Sequence, residues 1–380
     1  MPKVSIVLPT YNGEKYIKEA IRGVISQTYN DWELIVVNDC STDNTKKIVE
    51  EQMEKDKRIC LINNKENKKL PQSLNVGFEN AKGKYFTWTS DDNYYLPNAI
   101  LEMVQFLDKN EDYPMVCTDM YRIDENGNHI RGKNEYDAVK MYFNNCVGAS
   151  FLYRKEVAND IGGYEVKKFL IEDYDYWYRV LEYYGKIGYI NKSLYQYREH
   201  QNSLSSTRQR EIKIRLLEFR YEHLNTIIRK FYDREELLTP FFYEFYEGFS
   251  DMFTIKIMLK RYVKAINMDE KWDDKKKTII YGAGQYGEKA LSLLNKNVAF
   301  FSDKNKAGKS LKGIEIISVD SMINLKKEYN ICIAVSSKLM YEVIKELENK
   351  GLVKFASYYW LKNFLLQNNN AGIENGNENE

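Results

Sequence analysis

The chain has 380 residues, 43% of them hydrophobic and 29% charged, which suits a soluble globular protein of two or three domains. With 56 basic and 55 acidic side chains the net charge is +1, so no global field argues for nucleic acid. The five cysteines (Cys40, Cys60, Cys117, Cys146, Cys332) are scattered and odd in number, which argues against a disulfide framework or zinc site and for a reducing cytoplasm.

The opening MPKVSIVLPTYN reads as a strand, not as a signal sequence, and no run of about 18 apolar residues follows. The expectation is a cytoplasmic protein, at most peripheral at the inner face of a membrane. Val4 to Leu8 is an apolar run broken only by the small Ser5, as expected for a strand covered on both faces. Pro9-Thr10-Tyr11-Asn12-Gly13 breaks it, and Ile17, Ala20, Ile21, Val24 and Ile25 then space as one helical stripe. Leu34 to Val37 reads as the second strand and ends at Asn38-Asp39. STDNT offers N-caps before a helix carrying Ile48 and Val49. Ile59 to Ile62 reads as a third strand, and Leu74, Phe78 and Ala81 as a helix face. Tyr85 to Thr89, aromatic and β-branched, is the fourth strand and runs into Asp91-Asp92. Pro97 suits the start of the helix bearing Ile100, Leu101, Val104 and Leu107. Strand and helix alternating in this way predict a doubly wound, mostly parallel sheet.

Ligands of such sheets bind beyond the carboxyl ends of the strands. Asp39 and the Asp91-Asp92 pair therefore converge on one edge although they lie far apart in sequence. Adjacent carboxylates there suit a hard divalent cation that also grips a diphosphate. An ordinary loop carboxylate is the competing reading for the pair, and a helix cap or turn for Asp39.

VSIVLPTYNGEKYIKEAIRGVISQTYNDWELIVVNDCSTDNT resembles the opening of family-2 glycosyltransferases, which have the GT-A fold. The likeness continues through NVGFENAKGKYFTWTSDDNYYLPNAI, FLIEDYDYWYRVLEYYGKIGYI and YQYREHQNSLS, over roughly residues 3 to 206. It implies a nucleotide-sugar donor, most simply a UDP-sugar, with Mn2+ or Mg2+ and inversion at the anomeric carbon. The resemblance places Pro9, Thr10 and Tyr11 at the nucleoside, Asp39 on the base, Asp91 on the ribose and Asp92 on the metal. Asn75 falls in a donor-site motif in which Leu74 replaces an Arg that many relatives carry. Thr89 stands where many members have a further Asp. Lys68 or Lys69 could take over part of a phosphate contact.

Glu172 and Asp173 open a helix whose apolar side carries Tyr176, Trp177, Val180, Leu181 and Tyr184. Acids in a first turn complement the helix dipole and need no further role. Transfer, however, needs a carboxylate beside the acceptor hydroxyl. The EDYDYW match implies Asp173 as that base, with Glu172 orienting the acceptor or a neighbouring basic group. His129 and His223 read as structural. YREHQNSLS resembles the loop that closes on the diphosphate, which implies His200 as a metal ligand and Arg198 and Ser203 as phosphate contacts. Gly148, in NCVGAS, lets backbone approach a sugar or simply makes a tight turn.

Residues 207–276 turn charged and aromatic with helical spacing. They read as a helical connector packed on the catalytic domain of 1–206, or else as a peripheral membrane or homo-oligomer contact. Residues 277–366 read as a small Rossmann-like α/β domain. Gly282, Gly284 and Gly287 form a dinucleotide fingerprint, with Asp303 nineteen residues after Gly284. The unit is short for a full dinucleotide domain, so NAD is the weaker alternative there to docking or assembly. The polar tail 367–380 reads as disordered.

The expected function is therefore an inverting, metal-dependent glycosyltransferase that moves a sugar from its nucleotide donor to a polysaccharide or lipid-linked acceptor in cell-surface glycan synthesis. A nucleotide-sugar oxidoreductase using NAD at GAGQYG, and a non-catalytic nucleotide-sugar-binding scaffold, are the rivals.

Overall fold

Strand β1 (Val4–Thr10) is buried along its whole length, and its apolar run is answered on both sides by parallel neighbours, β2 (Trp32–Asn38) and β4 (Tyr85–Trp88). The computed structural model describes residues 1–131, 136–248, 272–273, 275–294, 297–352 and 355–358. The chain divides into two units, Met1–Glu222 and His223–Glu380. The division falls inside the segment expected as a connector. Residues 249–271 of that connector, residues 359–366 of the expected second domain and the tail 367–380 lie outside the described residues.

The sheet of the first unit has nine strands, with β3 (Ile59–Asn63), β5 (Tyr94–Tyr95), β6 (Met115–Ile123), β7 (His129–Arg131), β8 (Phe151–Arg154) and β9 (Gly188–Arg198) completing it. Its order is β3-β2-β1-β4-β8-β6-β9-β5, and β7 pairs with β6. The first four strands are parallel, β8 runs antiparallel to both neighbours, and β6 with β9 is parallel again. This is the α/β, parallel-dominated sheet of the GT-A fold.

Helices close on the sheet where the chain has small residues. On α1 (Ile17–Ile25), Ile17, Ala20, Ile21 and Val24 are buried. A Cβ at Gly23 would stand 2.7 Å from that of Tyr94. On α3 (Lys69–Glu79), a Cβ at Gly77 would meet Val7 at 2.4 Å. Gln27 staples the end of α1 to the next crossover, donating to the Leu96 carbonyl at 2.8 Å and accepting from the Ile100 N–H at 3.0 Å. Ile6, Leu8, Leu34, Val36, Ile100 and Val104 form the centre of the apolar core. Truncating one of them to Ala would cost about 2–5 kcal/mol.

In the second unit β10 (Thr278–Tyr281) is central to a sheet completed by β11 (Val298–Ser302), β12 (Ser310–Leu311), β13 (Ile314–Ile317), β14 (Asn330–Ile333) and β15 (Ala356–Ser357), ordered β12-β13-β11-β10-β14-β15. It pairs in parallel with β11 (Val298–Ser302) on one side and β14 (Asn330–Ile333) on the other, the pattern of a doubly wound sheet whose crossovers reverse at the central strand. Two helices precede it, Leu224–Lys230 and Glu235–Gly248. No helix among the described residues is long and apolar enough to cross a membrane.

Candidate active site

The carboxyl ends of β1, β2 and β4 lie side by side, and hydrogen bonds tie their loops together. The Thr10 hydroxyl donates to Asp91 Oδ2 at 2.6 Å. A Cβ at Gly13 would sit 2.2 Å from the same oxygen and 2.6 Å from the Thr10 hydroxyl, so only glycine allows this approach. Burial, and after it the charge of Asp92, pushes Asp91 up to about 7. Asp92 points elsewhere. Its Oδ2 lies 3.0 Å from His200 Nε2, and its Oδ1 is buried without a hydrogen-bond partner among the described residues. The His200 ring stands against Tyr16, with centroids 5.3 Å apart.

A buried carboxylate oxygen left unsatisfied is costly. Among the described residues no three His, Cys, Asp or Glu side chains gather as an all-protein metal cage. The Asp92–His200 pair nonetheless fits a divalent cation that takes its remaining ligands from phosphate and water, since carboxylate and imidazole both suit such ions. Thr89 adds nothing to this set: it is buried, and its hydroxyl is paired with that of Tyr195 at 2.6 Å.

Other expected ligands are engaged by their own chain. Asp39 Oδ1 accepts from Asn64 Nδ2 and the Lys68 N–H, each at 2.8 Å, and Oδ2 from the Lys69 N–H at 2.9 Å. The carboxylate thus shapes the 64–69 loop, with one acceptor position left on Oδ2. Lys68 and Lys69 meet it through their backbone. Both ends of the Asn75 amide are taken by the Tyr164 backbone at 2.8 Å, and Leu74 is core.

Arg198 is 2% exposed. Its Nε donates to the Asp92 carbonyl at 3.0 Å, Nη1 to the Glu125 carbonyl at 3.0 Å and Nη2 to the Glu19 carboxylate at 2.5 Å. The guanidinium is a buried clamp on the Asp92 loop. Ser203 caps a short helix, accepting from the Ser206 N–H at 3.2 Å. Pro9 is buried within β1, Tyr11 is half exposed at 51%, and Gly148 has a φ of 73° that favours glycine in its turn.

Helix α6 (Glu172–Tyr184) brings the second pair of acids. Glu172 is 4% exposed, and its Oε2 has no hydrogen-bond partner among the described residues. Asp173 Oδ2 accepts from Asn145 Nδ2 at 2.9 Å, and Oδ1 from the Tyr174 N–H at 2.7 Å. Burial, then the Asp173 charge, raises Glu172 to about 8. Burial also raises Asp173, against the opposing pull of its two hydrogen bonds. The hydrogen bonds from Asn145 and the Tyr174 N–H favour the charged form of Asp173, and burial together with that charge favours the protonated form of Glu172. Burial raises the Tyr197 phenol, with the charges of Asp92 and Asp173 as smaller causes.

Asn145 and Tyr16 hold site groups and were not anticipated in those roles. NCVGAS and YNGEKY carried them in plain sight, but neither spacing nor composition says what they touch. In the second unit Gly282 has a φ of 106°, and a Cβ there would meet the Ala334 carbonyl at 2.4 Å. A Cβ at Gly287 would lie 2.0 Å from the Gly282 carbonyl, whereas one at Gly284 would meet nothing. Asp303 Oδ2 accepts from the Ala283 N–H at 3.0 Å and Oδ1 from the Asn305 N–H at 2.9 Å, closing the glycine loop on itself.

Residues 5–162 match the family model of Glycosyl transferase family 2. An uncharacterized glycosyltransferase of Methanocaldococcus jannaschii is 32% identical over 224 residues, 56% of this chain and 76% of that protein. One of Rickettsia typhi is 28% identical over 311 residues, 75% and 92% of the respective chains. Among solved structures, S. aureus TarS superposes with a TM-score of 0.50 at 20% identity, covering 70% of this chain and 48% of TarS. A shorter TarS chain, 1–349, solved with UDP-GlcNAc, gives 0.50 with 70% and 80% covered. At that identity the likeness is one of fold.

Proposed function

The chain belongs to glycosyl transferase family 2, and from that premise we propose that it is an inverting, metal-dependent transferase. It moves a sugar from a nucleotide-diphosphate donor to a polysaccharide or lipid-linked acceptor in cell-surface glycan synthesis, at the cytoplasmic side of the membrane. The observation that carries this reading is Asp92 beyond the end of β4, with His200 Nε2 3.0 Å from one carboxylate oxygen and the other oxygen buried without a partner among the described residues.

Asp92 and His200 would hold Mn2+ or Mg2+. The cation would supply charge neutralisation to the departing diphosphate. Asp91, with Thr10 and Gly13 behind it, bounds the donor side. Asp173 takes the proton of the acceptor hydroxyl while that oxygen attacks the anomeric carbon and the bond to the diphosphate oxygen breaks. Glu172, protonated, keeps the second charge of its pair out of the site. A UDP-sugar is the favoured donor; the TarS complex with UDP-GlcNAc is a precedent on the same fold.

Calorimetry with UDP, dTDP, GDP and CDP, with and without Mn2+, tests the reading on wild type and Asp92→Asn. The expected result is Mn2+-dependent UDP binding that the variant loses. Absence of any nucleotide binding under every metal condition would overturn it.

A further inference from the structure

The Asp173 carboxylate is gripped by the segment that precedes β8, and that segment is itself anchored at several points. It opens with a short helical turn (Lys140–Tyr142), for which Asp137 Oδ1 accepts from the Val139 N–H at 2.8 Å and the Lys140 N–H at 3.0 Å. The Tyr174 hydroxyl on α6 donates to the Met141 carbonyl at 3.1 Å. From the helix Gln209–Glu222, the buried Arg220 donates through Nη2 to Asn144 Oδ1 at 2.6 Å. Met141, Tyr142 and Phe143 are buried, so packing and polar bonds together fix the backbone that leads into Asn145.

Asn145 passes that rigidity to Asp173. Its Oδ1 accepts from the Val147 N–H at 3.2 Å, and its Nδ2 donates to Asp173 Oδ2 at 2.9 Å. A backbone N–H can only donate, so the amide oxygen must face Val147 and the amide nitrogen must face the carboxylate. The other oxygen of Asp173 takes the Tyr174 N–H. Each oxygen thus has one donor and keeps a lone pair free to take a proton. The titratable groups whose charges couple with Asp173 are Glu172 on the same helix, the Tyr164 phenol ahead of it and the Tyr197 phenol on β9. All three are acids, so the charged form of Asp173 depends on its hydrogen bonds.

We propose that Asn145 is a positioning residue for transfer: its amide fixes the Asp173 carboxylate in one orientation and favours the charged form that takes the acceptor proton. The inference rests on the transferase reading, in which Asp173 is the base. Burial raises the Asp173 carboxyl, and the bonds from the Tyr174 N–H and Asn145 oppose that rise. Without the Asn145 amide, burial is less opposed. The carboxyl then keeps its proton to higher pH, and its plane is free to turn away from the acceptor hydroxyl.

NMR titration of the full chain, isotope-enriched at its aspartate carboxyls, reads the first effect without any ligand; the resonance absent from Asp173→Asn belongs to Asp173. Its midpoint should rise by about one pH unit in Asn145→Ala, as the loss of a hydrogen bond to a charged group gives, and by more in Asn145→Asp. Asn145→Asp keeps an acceptor for the Val147 N–H and replaces the donor with a second negative charge, so misfolding of Asn145→Ala leaves the test intact. UDP release from UDP-sugars reads the second effect. In Asn145→Ala the acid limb should follow the midpoint, the kcat plateau should fall about tenfold, and KM should hold. In the Asp173→Asn background the same substitution should leave the residual rate within about twofold, because Asn145 acts through Asp173. An unmoved midpoint, or an equal loss of kcat in the Asp173→Asn background, would overturn the positioning role. Near-normal turnover of Asp173→Asn would instead overturn the base assignment, with the midpoint shift still in place.

Discussion

Glu172→Gln is the substitution whose outcome the structure constrains most closely. Burial, with the Asp173 charge second, places Glu172 near 8. It is then about nine-tenths protonated at pH 7 and about nine-tenths ionised at pH 9. Glutamine mimics the protonated form in shape and charge, so kcat at pH 7 should stay within about twofold of wild type. At pH 9 the two proteins should part. Wild type gains a second buried negative charge beside Asp173, so its kcat/KM falls through a midpoint near 8. The variant should hold a plateau. The acid limb, set by ionisation of Asp173, should remain in both. Stability has the same sign. A carboxyl raised in the folded state contributes stability that is present below its unfolded value and lost as pH rises through its folded one. Spread over the shift from 4.5 to about 8, this amounts to up to about 5 kcal/mol by pH 9, and glutamine would be spared it. The assays are pH profiles of UDP-sugar turnover and thermal unfolding at pH 6 and 9. A hundredfold loss of kcat at pH 7, or an alkaline fall retained in the variant, would refute the proton assignment.

Four further outcomes are expected. Asp92→Asn should abolish Mn2+-dependent UDP binding in calorimetry. Asp173→Asn should leave that binding intact while lowering kcat about 10²–10⁴-fold, and near-normal turnover would remove Asp173 as the base. Arg198→Ala strips a buried cation from the Asp92 carbonyl and from a Glu19 carboxylate that is itself half exposed, so urea unfolding should show a loss of about 1–3 kcal/mol. If Arg198 were instead a phosphate ligand, stability would hold and only donor affinity would fall. Gly13→Ala drives a methyl group into Asp91 and Thr10. It should weaken UDP binding more than tenfold while changing global stability by about 1–3 kcal/mol, and unchanged UDP affinity would mean that this approach does not shape the donor site.

The sheet was legible because its signals are local. Leu34 to Val37 is an unbroken apolar run, and Val4 to Leu8 is broken only at Ser5. Lengths were less legible: β1 extends to Thr10 and β2 to Asn38, since a polar residue at a strand end pairs its backbone regardless of its side chain. Individual site roles were harder still. Arg198 in YREHQNSLS reads as a free cation, yet its Nη2 donates to Glu19, 179 positions away. Asn75 reads as a donor-site amide, yet its partner is the Tyr164 backbone, 89 positions on. A side chain's chemistry can be read from its type, but its availability depends on what the fold brings to it. Asp92 and Glu172 differ from Arg198 in this respect. Each keeps a buried oxygen that no described residue satisfies, and leaving such a group unpaired costs about 1–3 kcal/mol or more. Arg198 and Asn75 have their hydrogen bonds met from within the fold. For Asp92, the His200 imidazole 3.0 Å from its other oxygen offers a second ligand, and that pairing is the ground for proposing a cation there.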